Sequence, residues 1–121
     1  MGETILVVDD DAMNLKLTQM MLKKKDYQVK TANSGQAALA LLQEEAVDLI
    51  LLDVEMPGMD GIETLDAIRA QANLKSLPIL FLSASEDMEQ EVEEGKYAVQ
   101  GFVKKPVIPP DLYESVATLF A

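Results

Sequence analysis

The 121 residues contain no histidine and no cysteine, and basic residues are scarce: 10 Lys and Arg stand against 21 Asp and Glu, a formal charge of −11. Each absence removes a class of function. Without cysteine there is no disulfide and no thiol chemistry, which favours a cytoplasmic location. Without histidine the chain cannot carry a phosphohistidine, run a Ser-His-Asp or Cys-His relay, or offer imidazole to a metal. So acidic a surface repels nucleic-acid phosphates and anionic membranes, so no direct nucleic-acid contact and no membrane binding are expected. Basic partners and cations suit it instead. No apolar run approaches the roughly 20 residues of a membrane span. The opening MGETILVVDDD lacks the basic segment of a signal peptide, and Leu6 stands where a myristoylation signal after Gly2 requires Ser or Thr. Whatever chemistry remains must use carboxylates, hydroxyls and lysine.

What is present is a regular alternation. Five short apolar segments, Thr4–Asp9, Gln28–Ala32, Asp48–Asp53, Pro78–Ser83 and Gln100–Lys104, read as strands. Runs such as ILVV, LILL and ILFL do not alternate with polar residues, as expected of parallel strands covered on both faces. Between them lie amphipathic stretches. Met13, Leu17, Met20 and Met21 make one stripe at helical spacing, Ile62, Leu65, Ile68 and Ala72 a second. Ala38, Leu41 and Leu42 make a third, opened by Ser34 as N-cap. Leu112, Tyr113, Val116, Leu119 and Phe120 make the last, entered through Pro109-Pro110. The methionines are read as core filler. A fourth helix over Asp87–Lys96 is the weakest, with only Met88 and Val92 as anchors among many acids. Strict βα alternation predicts an α/β fold: a five-stranded parallel sheet in the order 2-1-3-4-5 with helices on both faces, flavodoxin-like and doubly wound.

In such sheets function gathers at the carboxyl ends of the strands, near the point where strand order reverses. The first strand ends in Asp9-Asp10-Asp11, the third in Asp53, the fourth in Ser83, and the fifth runs into Lys104-Lys105-Pro106. In LILLDVEMPGMDG four apolar residues run straight into the Asp53 carboxylate before the chain breaks at Pro57-Gly58. Clustered carboxylates at a low-dielectric rim raise one another's pKa unless a cation sits among them. Mg²⁺ takes one or two carboxylates, waters and a phosphate oxygen. A carboxylate nucleophile, a metal, a lysine and a hydroxyl describe an aspartyl-phosphate site.

VVDDD, LLDVEMPGMDG, LPILFLSAS and GFVKKP, in this order and across essentially the whole chain, resemble the response-regulator receiver domain of two-component signalling, the CheY-like fold. The resemblance implies a single receiver domain over residues 1–121. It implies phosphorylation of Asp53 and a metal site of Asp9, Asp10, Asp53 and the Glu55 carbonyl, holding Mg²⁺ or alternatively Mn²⁺. Asp10 would be a direct ligand and Asp9 would act largely through water. Ser83 would be the switch hydroxyl, Lys105 its salt-bridging partner before a cis bond to Pro106, and Phe102 the switch aromatic. Glu55 and Ser85 would tune dephosphorylation. The implied partners are a sensor histidine kinase or histidine phosphotransfer protein and a downstream protein or output domain, with scope for a phosphorylation-dependent homodimer. Such a domain is no enzyme in its own right; it assists only its own phosphorylation and dephosphorylation. Asp11 is expected to start the first helix, Lys104 to be solvated and Asp60 to cap the third helix.

The chain departs from the family pattern with Ala98-Val99, where Gly-Ala is frequent, with Ser83 rather than Thr and with Phe102 rather than Tyr. Three rival readings remain at this level. A degenerate receiver would bind partners without being phosphorylated, against which the complete residue set speaks. A flavodoxin would need a phosphate-cradling loop after the first strand, where DDDAMNL repels phosphate. A haloacid-dehalogenase-type phosphatase would need an aspartate where Glu55 stands. Both a stand-alone receiver and a segment of a longer regulator or hybrid kinase fit these 121 residues.

Overall fold

The computed structural model describes residues 2–121. Five strands, β1 (Thr4–Val8), β2 (Gln28–Ala32), β3 (Leu49–Asp53), β4 (Ile79–Ser83) and β5 (Gly101–Lys104), alternate with five helices. These are α1 (Ala12–Lys23), α2 (Gly35–Glu44), α3 (Gly61–Arg69), α4 (Glu86–Glu93) and α5 (Pro109–Phe120). All pairings are parallel and the sheet order is β2-β1-β3-β4-β5, so the predicted fold is the observed one. Four strands are each one residue shorter than expected. Three of the trimmed residues still extend the ladder from just outside it: Asp9 donates to the Ala32 carbonyl, Asp48 to Thr4 and Gln100 to Ile79.

The central strands are covered on both faces, which is why their sequences do not alternate. Leu6, Val8, Ile50, Leu52, Ile79 and Phe81 point toward α2, α3 and α4, meeting Ala38, Leu42, Leu65 and Ile68. Ile5, Val7, Leu49, Leu51, Leu80, Leu82 and Val103 point the other way, toward Leu22 of α1 and Leu112 and Val116 of α5. Each fully buried aliphatic side chain contributes about 1.5–3 kcal/mol.

Helix starts follow the expected capping chemistry. Ser34 accepts from the Ala37 amide, and Asp60 forms a capping box with Glu63. Asp11 caps α1 by accepting from the amides of Met13 and Asn14.

The stripe expected on α1 is corrected. Met13, Leu17 and Met20 are 65%, 45% and 50% exposed, while Thr18 and Leu22 are buried and Leu15 and Met21 pack at the core's edge. The buried face therefore runs through Leu15, Thr18 and Leu22, and only Met21 of the four is core filler. Ala72 likewise lies beyond α3, in a short 3-10 turn over Ala72–Leu74. The weak fourth helix does form, from Glu86 to Glu93, but none of its residues is fully buried; Met88 and Val92 only rest on the core.

At the far end of the sheet from the strand carboxyl ends, the Arg69 guanidinium binds four backbone carbonyls. It donates to Leu74, Lys75, Leu77 and Ala98 at 2.7–3.1 Å. It thereby joins the end of α3 to the segments that lead into β4 and β5.

Candidate functional site

The strand ends bring Asp9, Asp10, Asp53 and Lys105 together, and the local sequence explains why each is held there. Asp53 is the last residue of β3, fully buried, and paired in register with Leu82 of β4. The loop after it is fixed by glycine. Gly58 has φ +71, which a side chain disfavours. Gly61 lies so close beneath the strand end that an added Cβ would stand 2.5 Å from the Asp53 carbonyl oxygen and 2.6 Å from Val54 Cα. A buried Asp9 carboxylate is oriented by the Asp11 amide, which donates to its Oδ1 at 2.9 Å. Asp10 is exposed beside it.

Lys105 supplies the one ammonium in this cluster. Its Nζ lies 2.9 Å from Asp53 Oδ1 and 3.7 Å from Asp9 Oδ2. Its backbone amide donates to the Ser83 carbonyl at 3.0 Å, and the Lys105–Pro106 bond is cis, as the resemblance implied. Asp53 Oδ1 also accepts from the Glu55 amide at 3.2 Å. Its Oδ2 is buried and has no hydrogen-bond partner.

Burial, reinforced by the Asp9 charge and opposed by Lys105, pushes the Asp53 carboxyl up to about 7. Burial alone would lower the Lys105 ammonium, but the carboxylates of Asp53, Asp9 and Glu55 outweigh it and raise it. The site thus contains more negative charge than it neutralises. One oxygen from each of Asp9, Asp10 and Asp53 lies within 4.8 Å of the others. With the unpartnered Asp53 Oδ2 and no nitrogen or sulfur donor, this set fits a hard divalent cation that prefers oxygen.

The remaining sequence-predicted residues stand around this centre rather than in it. Ser83, fully buried at the end of β4, donates its hydroxyl to Glu55 Oε2 at 2.6 Å and accepts from the Ser85 amide at 3.0 Å. The Glu55 side chain therefore faces Ser83. Ser85 caps α4, its hydroxyl accepting from the Met88 amide. Phe102 pairs with Phe81 in β4–β5 register and rests half-buried against the core. Lys104 is exposed. Sequence reasoning missed the Glu55–Ser83 bond and the double use of Asp11, which orients Asp9 through its amide and caps α1 through its carboxylate. The Asp-Asp-Asp run signals the latter; nothing local signals the former.

Comparison with known proteins agrees with this geometry. The family model of the response regulator receiver domain matches residues 5–117. Chemotaxis protein CheY-3 of Vibrio cholerae is 33% identical over 117 residues, covering 96% of this chain and 90% of that protein. The sensor protein GacS of Pseudomonas syringae is 36% identical over 115 residues, which are 93% of this chain but only 13% of GacS. Among solved structures, chemotaxis protein CheY4 of Vibrio cholerae superposes with a TM-score of 0.90 at 32% identity, covering 98% of this chain and 99% of that one. With its strand order, its carboxylate cluster and a family match over nearly its whole length, this chain belongs to the response regulator receiver domains of two-component signalling.

Proposed function

We propose that residues 1–121 act as a single phosphoacceptor domain that takes a phosphoryl group from a partner's phosphohistidine onto Asp53. The observation that carries this reading is the Asp53 carboxylate itself: buried, with Oδ1 held by Lys105 and the Glu55 amide, and with Oδ2 unpartnered. The Asp53 carboxylate is the nucleophile. It forms the new O–P bond as the P–N bond of the donor breaks, and the bonding pair leaves on the donor's imidazole nitrogen. Asp53 and Asp10, with Asp9 and the Glu55 carbonyl in support, would hold Mg²⁺, or Mn²⁺ in its place; such an ion supplies neutralisation of the transferring group's charge. Lys105 keeps Asp53 oriented before transfer and binds the phosphoryl oxygens after it. Ser83 donates to the same group once its hydroxyl turns from Glu55. Glu55 and Ser85, at the rim, are placed to tune attack by the water that later removes the phosphoryl group.

The new dianion biases α4 and β5 toward a second arrangement, a local electrostatic event with a distant readout. The shallow seating of α4, which has no fully buried residue, supports that role, as does the half-buried Phe102. The α4-β5-α5 surface then signals to a downstream protein or output domain, or pairs with a second copy. The donor is a histidine kinase or a phosphotransfer protein in the cytoplasm. No helix among the described residues is long and apolar enough to cross a membrane.

Intact mass after incubation with acetyl phosphate and Mg²⁺ tests the reading. A gain of one phosphoryl group is expected, lost in Asp53→Ala and in chelator. Absence of that gain, together with failure to bind beryllofluoride, would refute it.

A further inference from the structure

A serine hydroxyl has one proton to donate, and that of Ser83 is committed to Glu55. The 2.6 Å separation lies in the range of charge-assisted O–H···O⁻ bonds, roughly twice as strong as neutral ones. Both ends are positioned by their surroundings. Ser83 is fully buried, and its oxygen already accepts from the Ser85 amide. Glu55, though exposed, follows Asp53 by two residues, and its amide is tied to Asp53 Oδ1 at 3.2 Å. The same short segment therefore holds the phosphoacceptor at one end and the serine at the other. While the bond lasts, Ser83 cannot donate to an oxygen bound at Asp53.

We propose that the Glu55 carboxylate is a latch: a positioning residue that holds the Ser83 hydroxyl in the unphosphorylated arrangement and must release it when an anion arrives at Asp53. The proposal rests on the phosphoacceptor reading above. A ligand shifts an equilibrium only by its differential affinity for the two states. The anion must therefore outcompete Glu55 for one proton, and part of its binding energy is absorbed in doing so. Glu55 also acts on the incoming anion directly, as one negative charge near another. That repulsion does not pass through Ser83, and this separates the two effects.

The test is a double-mutant cycle on beryllofluoride affinity, measured by calorimetry in Mg²⁺ for the wild type, Glu55→Ala, Ser83→Ala and the double variant. Glu55→Ala leaves the backbone carbonyl in place, and an exposed side chain is removed. Removing a latch the strength of one charge-assisted hydrogen bond is expected to tighten binding on the order of tenfold. The double variant should gain less over Ser83→Ala than Glu55→Ala gains over the wild type, because only the repulsion is left to relieve once the latch has nothing to hold. Glu55→Gln, which keeps an uncharged acceptor, should fall between wild type and Glu55→Ala. Equal tightening by Glu55→Ala with and without Ser83 would assign the whole effect to charge repulsion and overturn the latch. So would wild-type affinity in Glu55→Ala. If beryllofluoride fails to bind the wild type, the phosphoacceptor reading falls and the latch with it.

Discussion

Replacing Asp53 by asparagine keeps the shape of the side chain and removes its charge. In the unfolded chain this carboxyl titrates near 3.8, whereas in the fold burial and the Asp9 charge push it up to about 7. Below pH 3.8 both states bind the proton and the group adds no pH dependence. As pH rises beyond that, the unfolded chain releases its proton while the fold retains it, so stability falls until pH passes about 7 and then levels off. A tenfold change in an acid equilibrium is worth about 1.4 kcal/mol, so the wild type forgoes on the order of 2 kcal/mol at pH 5 and on the order of 4 kcal/mol at pH 8. Asp53→Asn lacks this loss. Its altered packing is the same at both pH values and cancels in the comparison. Its stability advantage over the wild type should therefore grow by roughly 2–3 kcal/mol between pH 5 and pH 8. The assay is urea unfolding followed by far-ultraviolet circular dichroism, at both pH values and in chelator. With a denaturant slope of about 1.5 kcal/mol per molar, the two midpoints should draw apart by a further ~1.5–2 M urea. A difference that stays constant from pH 5 to pH 8 would refute the elevated Asp53 equilibrium. Mg²⁺ at 100 times its dissociation constant should return about 2.7 kcal/mol to the wild type and nothing comparable to the variant.

Lys105→Ala removes the only ammonium among the clustered carboxylates, so the Asp53 carboxyl should titrate higher still, read from its carbon-13 shift, and beryllofluoride affinity should fall at least about tenfold. Gly61→Ala pushes a Cβ against the backbone of Asp53 and Val54; a loss of about 1–3 kcal/mol in urea unfolding is expected, and a neutral result would disprove the close approach. Arg69→Leu leaves four carbonyls without their donor and should remove about 2–4 kcal/mol by the same measurement. Amide hydrogen exchange in α4 should outpace that in α5, which fully buries Leu112 and Val116 where α4 has no fully buried residue.

The sheet was legible because its central strands are apolar without alternation, a pattern that parallel strands between two helix layers require. The cluster of Asp9, Asp10, Asp53 and Lys105 was legible because topology alone sends the ends of β1, β3 and β5 to one rim. The α1 stripe was not. That helix is apolar on more than one side, and its buried face contains Thr18, so the more hydrophobic reading chose Met13, Leu17 and Met20, which the structure leaves exposed. The Glu55–Ser83 bond was hidden for a different reason. It joins residues 28 apart through two side chains, and no periodicity reports such a contact.

Arg69 fixes Ala98 to the carbonyls of Leu74 and Leu77, and the Gln100 side chain accepts from the Ile79 amide at 2.7 Å, at the end of the sheet remote from Asp53. At its other end α4 begins at Ser85, bonded to the Ser83 hydroxyl. The segment that follows α4 is therefore anchored at Ala98, while the start of the helix is tied to the site through Ser85. With these anchors, a displacement at Ser83 is expected to be felt most at Ser85 and to fade toward Ala98. The acidic face of α4 would then tilt rather than translate.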